Sequence, residues 1–276
     1  MAEPPALRDA QPDDSLLFVG NATLLLRCCG FTVLTDPNFL HAGQHAHLGY
    51  GLLTRRLKDP AMGVEELPDL DAVVLSHVHG DHWDRVARRG LDHAVPVVTT
   101  TPAARRLRRQ GFGGAVGLRT WEAHTLTRGE AALTVTSLPG RHGPSGVHHL
   151  LPTVMGSMLE FTEAGRLRLR LYQTGDTLVF EGIGAIARRW PDIDVGVLHL
   201  GGTTLPGGLV VTMDGRMGAD LLEVVRPGLA VPVHTDDYSV QKSPLEDFTG
   251  EVARRGLDQA VAVVRRGESL ALPLRG

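Results

Sequence analysis

The chain has 276 residues, 42% of them hydrophobic and 21% charged, enough for a sizeable core in one large domain or two small ones. Its formal net charge of -3 and sequence pI of about 6.5 supply no global pull toward nucleic acid or an anionic membrane. No run of about 18 apolar residues occurs, Met1 to Pro5 show no basic and apolar leader, and the only cysteines, Cys28 and Cys29, are neighbours that offer no framework of spaced pairs. Together these features predict a cytoplasmic protein without a transmembrane segment.

In chain order, Leu16 to Val19, Ala22 to Arg27 and Phe31 to Thr35 predict an opening β-meander. The stretch from Pro37 to Pro68 has little periodicity and is rich in Gly, His and Pro, so residues 37–68 read as a lid or cleft-covering loop. Ala72 to Leu75 and Val95 to Thr99 read as buried strands separated by a helix after Trp83, with a second helix near 102–109. Leu133 to Ser137, Ser157 to Phe161 and Leu167 to Tyr172 continue the strands, followed by Val195 to Leu200, Ala230 to Val233 and Val261 to Val264. Helices are predicted near 178–189, 216–225 and 245–255. This alternation argues for an α/β fold of sheets covered by helices. No short repeat or Ser/Gly/Pro-rich linker divides the chain, so one domain over residues 1–276 is the simpler reading.

The densest chemistry lies in Ser76-His77-Val78-His79-Gly80-Asp81-His82, directly after the apolar run Asp71 to Leu75. Zinc and similar dications take neutral imidazole nitrogens and carboxylate oxygens, and a catalytic site keeps one position open for water. Two neighbouring metals need more ligands than one loop carries, so the remainder must come from elsewhere in the chain. The alternative is a polar loop before a helix, with Asp81 as its cap and the histidines incidental.

The segment matches the H-x-H-x-D-H signature at every specified position, and the chain resembles the metallo-β-lactamase superfamily. Later landmarks follow in order: His142 in Leu138-Pro139-Gly140-Arg141-His142, Asp176 in Gln173-Thr174-Gly175-Asp176-Thr177, and His234 in Val231-Pro232-Val233-His234. The resemblance implies His77, His79 and His142 on a first metal, Asp81, His82 and His234 on a second, and Asp176 bridging them. It also implies a four-layer αβ/βα sandwich with the metal site at one edge between two mixed sheets. Within the superfamily, Gly20-Asn21-Ala22-Thr23, Leu34-Thr35-Asp36-Pro37 and Leu67-Pro68 look most like the branch of ascorbate-phosphate lactonases and N-acyl phosphatidylethanolamine phospholipase D. Many of those relatives have His where Asn21 stands. His142 competes with His148 and His149 for its role, and Asp176 is also placed to cap a helix near Thr177. Asp36 reads either as an acceptor for a ligand histidine's outer N–H or as a cap of the turn at Pro37.

Two close dications lower the pKa of a shared water, hold the hydroxide between them and polarise a carbonyl or phosphoryl oxygen. The expected reaction is hydrolysis of an ester, lactone, amide or phosphodiester in a small molecule, with Asp81 orienting the hydroxide. Candidates for protonating the leaving group are His199, Asp236, Asp237 and Tyr238, all near predicted strand ends; His199 reads equally as a core histidine. Zinc is the first expectation for the metals, with manganese, iron and nickel compatible with the same ligands. His41, His45 and His47 read as surface loop residues, with part of the substrate lid or a further metal site as the alternatives. Arg88-Arg89, Arg108-Arg109 and Arg254-Arg255 suggest phosphate binding, but each pair precedes a glycine within two residues, the ending expected of helix C-termini and the favoured reading.

Three other functions compete. A nuclease of the superfamily would want a basic groove, which the acidic balance disfavours. A redox member using iron would more often carry Glu where His79 stands, and a noncatalytic binding protein would tend to lose ligands. A homo-oligomeric state is compatible with all of these readings.

Overall fold

The computed structural model describes residues 13–276, except the side chains of His148 and Gln259; the opening residues Met1 to Pro5 lie outside it. Strands β1 (Ser15–Gly20), β2 (Thr23–Cys28) and β3 (Phe31–Thr35) form the meander, followed by a short hairpin, β4 (His45–His47) and β5 (Leu53–Arg55). Next come β6 (Ala72–Val74), α1 (Arg85–Gly90), β7 (Val97–Thr100), α2 (Thr101–Arg109), β8 (Ala115–Leu118), β9 (Ala123–Arg128), β10 (Ala131–Pro139), β11 (Met155–Glu163) and β12 (Arg166–Gln173). The chain continues through α3 (Glu181–Arg189), β13 (Val195–His199), the hairpin β14 (Thr204–Leu205) and β15 (Leu209–Val210), α4 (Gly215–Val225), β16 (Leu229–Val233), α5 (Leu245–Arg255) and β17 (Ser269–Ala271).

Two mixed sheets result, in the orders β17-β1-β2-β3-β6-β7-β8 and β16-β13-β12-β11-β10-β9. In the first, β17, β1, β2 and β3 pair antiparallel and β3, β6, β7 and β8 parallel. In the second, β9 to β12 are antiparallel and β12, β13 and β16 parallel. Strand periodicity explains how the sheets stack, because successive side chains point to opposite faces. On β2, Leu24 and Leu26 enter the core between the sheets, where Val135, Phe161 and Val197 of the other sheet meet them. Leu25 instead joins Leu17, Val73, Ala87 and Leu107 beneath α1 and α2. The second sheet packs its outer residues, Met158, Tyr172 and Leu198, against Ile183, Leu221 and Phe248 of α3, α4 and α5. The four layers are therefore helices, sheet, sheet, helices, an αβ/βα sandwich.

Several elements differ from the sequence reading. Strands β8 and β9 were not anticipated, nor was the terminal β17. Val261 to Val264 forms no strand; Val261 makes one isolated parallel bridge to Ala230. The 37–68 stretch carries the β4–β5 hairpin and a turn of 3-10 helix at Val64–Glu66. Cys28 and Cys29 are free thiols, Sγ to Sγ 3.8 Å apart.

Asp84 ties that stretch to the loop after β6. Its Oδ1 accepts from the backbone N–H groups of Val86 (2.8 Å) and Ala87 (2.7 Å), capping α1. Its Oδ2 accepts from the N–H groups of Phe39 and Leu40, the latter at 2.7 Å. Asp84→Ala strands four backbone donors at a buried position, so it should cost about 2–4 kcal/mol of unfolding free energy. Urea denaturation measures this, and an unchanged midpoint would show the four bonds to be replaceable by water.

Candidate metal centre

Every ligand candidate sits where a strand ends at one common edge of the sandwich. Asp36 follows β3, Ser76 to His82 lie just beyond β6, His142 follows β10, Asp176 follows β12, His199 ends β13 and His234 follows β16. Carboxyl ends of strands are where open α/β sheets place their ligands. Two glycines set the loops. A Cβ on Gly80 would stand 2.7 Å from the backbone N of His47, so glycine is needed for close approach to the β4 hairpin and not for a sharp turn. Gly175 combines φ +61° with a would-be Cβ 2.6 Å from the carbonyl oxygen of Met155, which fixes the direction in which Asp176 leaves β12.

The side chains gather into two adjoining groups. In the first, Nδ1 of His79 lies 3.0 Å from Nε2 of His77 and 3.3 Å from Nε2 of His142. In the second, Nε2 of His82 is 3.3 Å from Asp176 Oδ2 and 3.7 Å from Asp81 Oδ2, and Nε2 of His234 is 3.4 Å from Asp81 Oδ2. The groups abut, the His77 and His82 ring centroids being 4.2 Å apart. All seven residues are buried.

Outer hydrogen bonds decide which nitrogen faces inward. His142 Nδ1 lies 2.9 Å from the carbonyl oxygen of Val211 and His234 Nδ1 3.0 Å from that of Leu200. A carbonyl only accepts, so both Nδ1 atoms carry protons and turn the Nε2 lone pairs toward the cluster. His82 Nδ1 stands 3.2 Å from Asp36 Oδ2. Asp36 is an organising acceptor: its Oδ1 takes the N–H of Ser76 (2.7 Å), and its Oδ2 takes Gln173 Nε2 (3.0 Å) and lies 3.2 Å from His199 Nε2. Of its two sequence readings, the histidine acceptor describes this geometry. Asp176 accepts from Thr212 Oγ1 at 3.1 Å and caps no helix, since α3 begins after Phe180.

The electrostatics match this division. Burial, then the charges of neighbouring imidazoles, lowers His77 well below its ordinary value, and burial with His142 brings His79 down to about 3. That group is held neutral, with lone pairs available. Burial opposes charge on His82 as well, but Asp176, Asp81 and Asp36 outweigh it and raise its pKa well above that of free imidazole. The second group therefore already selects positive charge. Oδ1 of Asp81, Nε2 of His82 and Oδ1 of Asp176 are buried without a hydrogen-bond partner, and orphaned buried polar atoms are rare unless a bound group satisfies them. Imidazole and carboxylate donors left open in this way fit divalent cations.

The other sequence candidates are engaged elsewhere. His199 is fully buried between Asp36 and Thr174, whose Oγ1 lies 3.3 Å from its Nδ1. Asp236 is exposed and paired with Lys58. The Tyr238 hydroxyl donates to Asn38 Oδ1 at 2.9 Å within a small apolar cluster. None of the three directs a free proton donor at the cluster. Asp237 fixes its loop, accepting from the Asn21 N–H (2.8 Å) and pairing with Arg56 (3.0 Å) and Arg266 (2.8 Å). His149 is exposed, and the side chain of His148 lies outside the described residues. His41, His45 and His47 fall in no converging ligand group among the described residues.

Sequence reasoning passed over the work of Asn21. Its carboxamide donates to the Asp81 carbonyl oxygen (2.7 Å) and accepts from Gln241 Nε2 (3.0 Å), while its own carbonyl accepts the N–H of His234 (2.8 Å). One turn residue thereby joins the ligand loops of both sheets. Gln173, three residues before Asp176, had a positional signal; Thr212 and Arg56 had none.

Two stacked mixed sheets with a buried histidine and aspartate cluster at one edge define the class, an αβ/βα sandwich organised around a candidate metal-binding edge. The chain belongs to the β-lactamase superfamily, whose domain family matches residues 32–235. It is 29% identical over 238 residues, 85% of this chain and 95% of the relative, to a UPF0173 metal-dependent hydrolase of Deinococcus radiodurans. A UPF0173 metal-dependent hydrolase of Archaeoglobus fulgidus is 28% identical over 211 residues, 72% of this chain and 80% of that one. Among solved structures, an isothiocyanate hydrolase from Delia radicum gut bacteria is similar in fold, with TM-score 0.79, 22% identity and coverage of 94% of this chain and 98% of that one. A possible metal-dependent hydrolase of Veillonella parvula gives TM-score 0.80 at 21% identity, over 94% and 99% of the two chains. No helix among the described residues is long and apolar enough to cross a membrane.

Proposed function

We propose that this chain is a metal-dependent hydrolase of small molecules, with His77, His79 and His142 holding one divalent cation, Asp81, His82 and His234 a second, and Asp176 between them. The observation that carries this reading is the set of buried, unpartnered ligand atoms on Asp81, His82 and Asp176. The relatives' shared description as metal-dependent hydrolases supports it. When bound, two such cations supply Lewis acidity at a carbonyl or phosphoryl oxygen and lower the pKa of water. Asp81 orients the attacking water and receives its proton at Oδ1. Asp36 holds His82 and His199 in register, so His199 acts on position and not on the leaving group. Asn21 keeps Asp81 and His234 at a fixed separation. Residues 37–68 cover the outer side of the His77 to His82 loop as a lid. A cytoplasmic location belongs to the same proposal.

Elemental analysis of the purified protein, combined with a hydrolysis panel, tests the reading. The resemblance to the lactonase and phospholipase D branch puts lactones and phosphodiesters first, with carboxylic esters, β-lactams and, because of the fold neighbour's described activity, an isothiocyanate beside them. Zinc is the first metal to supply. The expected outcome is about two equivalents of metal per chain, by the two groups of ligands, and turnover of at least one bond class. Protein that neither contains metal nor turns over any substrate after metal addition would instead be a noncatalytic member of the superfamily.

A further inference from the structure

A cavity of about 340 Å³ lies beside the β6–α1 loop, and of the seven candidate ligands His79 is the one in its wall. Its wall includes His79, Gly49 of the β4–β5 hairpin, Trp83, and three arginines, Arg85, Arg88 and Arg106. Arg85 is partly committed, its guanidinium donating to the carbonyl oxygen of His45 at 3.2 Å. The guanidinium groups of Arg88 and Arg106 have no hydrogen bond or ion pair among the described residues. The one carboxylate in the wall, Asp84, is taken up by backbone N–H groups on both oxygens. Three arginines against this single, already hydrogen-bonded carboxylate leave the cavity wall with net positive charge.

His79 supplies the second observation. It is 6% exposed, and its Nδ1 faces His77 and His142. A neutral imidazole whose Nδ1 presents a lone pair carries its proton on Nε2, and Nε2 of His79 is buried with no partner. The two ring nitrogens point in widely different directions, so Nε2 turns away from the cluster. Gly49, also in the cavity wall, lies over it, so that a Cβ there would touch Nε2 at 3.9 Å. The corresponding outer nitrogens of His142, His234 and His82 all have protein acceptors; His79 alone among these four lacks one. Metal-bound histidines almost always donate their outer N–H.

Arg88 and Arg106 occupy the last turns of α1 and α2, where cations complement the helix dipole. That accounts for their place along each helix. It does not account for two unpaired guanidinium groups and a buried N–H donor lining one cavity.

We propose that this cavity binds an oxyanion group of the substrate, a carboxylate or a phosphate, which accepts from His79 Nε2–H and pairs with Arg88 and Arg106. Such a group supplies the acceptor that His79 lacks and sets the substrate class as anionic small molecules. Only the identification of the ligand as substrate rests on the hydrolase reading; the anion site stands without it.

The test is calorimetric titration of inorganic phosphate, and separately of acetate, into the metal-loaded protein and an R88M/R106M double variant. Elemental analysis confirms equal metal content, so any anion taken up by metal cancels in the comparison. Losing two charge-assisted contacts should weaken phosphate or acetate binding at least about tenfold, and which anion shows the loss identifies the group. Equal affinity in the two proteins, or no binding by either, overturns the proposal. If the double variant melts early, R88K/R106K keeps the charges and should recover most of the affinity; failure to do so in a folded protein also overturns it. With an anionic substrate from the hydrolysis panel, R88M/R106M should raise KM with kcat nearly kept, the signature of lost binding and not of lost chemistry. A failed panel leaves the titration decisive, and a failed titration leaves the hydrolase reading untouched.

Discussion

On the proposed two-metal reading, Asp176→Ala is expected to release at least one metal equivalent and to abolish turnover. Changing a residue that merely orients a ligand typically costs about 10–100-fold in metal affinity or activity, so removing the carboxylate proposed to stand between the two cations should exceed about 100-fold. Asp176 is placed to have this effect, because its Oδ2 lies 3.3 Å from His82 Nε2 and its Oδ1 is buried without a partner. Metal content by elemental analysis and melting with and without chelator report the effect independently of any substrate. For a metal at a hundredfold excess over Kd, linkage contributes about 2.7 kcal/mol to the folded state, roughly 5 °C in a chain of this size. The wild type should lose that increment on chelation, and the variant should lose much less. An Asp176→Ala protein that retained both metals and full turnover would remove Asp176 from the centre.

Asp237→Asn is expected to destabilise the protein by about 3–5 kcal/mol, the usual result of breaking a buried ion pair from one side. Its side chain is 1% exposed and that of its partner Arg56 is 0% exposed, with 3.0 Å between the charged atoms. Arg266 reaches the same carboxylate at 2.8 Å. Neutralising Asp237 leaves Arg56 charged in the interior, with the Asn38 and Lys58 oxygens and the Tyr238 hydroxyl and ring as neutral neighbours. Denaturant unfolding of the metal-loaded protein measures the loss, and a change under about 1 kcal/mol would mean that water reaches the pair. In an Asp237→Leu, Arg56→Met double variant, part of the loss should return, since no charge is then left unpaired.

How much of this was readable beforehand depended on whether a residue's task is set by its own chemistry or by a distant partner. The strands with apolar residues on both faces, such as Thr23–Cys28 and Val195–His199, announce themselves because both faces are covered. The candidate ligands stood out because cations accept few residue types. Strand Ala123–Arg128 did not, since it is a largely exposed edge whose pairing depends on β10. Ser269–Ala271 is three residues long and is a strand only because β1 supplies the partner. Val261 to Val264 failed in the opposite sense, with suitable residues but a single bridge to Ala230. Arg56 sits in a segment without periodicity, and nothing local marks it as the counter-charge of a residue 181 positions later.

The turn residue Asn21 has a consequence for the order in which the molecule can be built. Its contacts reach Asp81 in the loop beyond β6 of one sheet and His234 beyond the last strand of the other, and the first sheet itself is not complete until Ser269–Ala271 pairs with β1. During synthesis, the His77 to His82 loop emerges long before His142, Asp176 and His234, so the nascent chain holds three imidazoles and a carboxylate without a cage. Closure depends on contacts distant in sequence, the kind that slow folding. If the centre holds metal as proposed, tight capture of a cation is postponed to the finished fold, and the ion would act as a late lock on the assembly of the two halves.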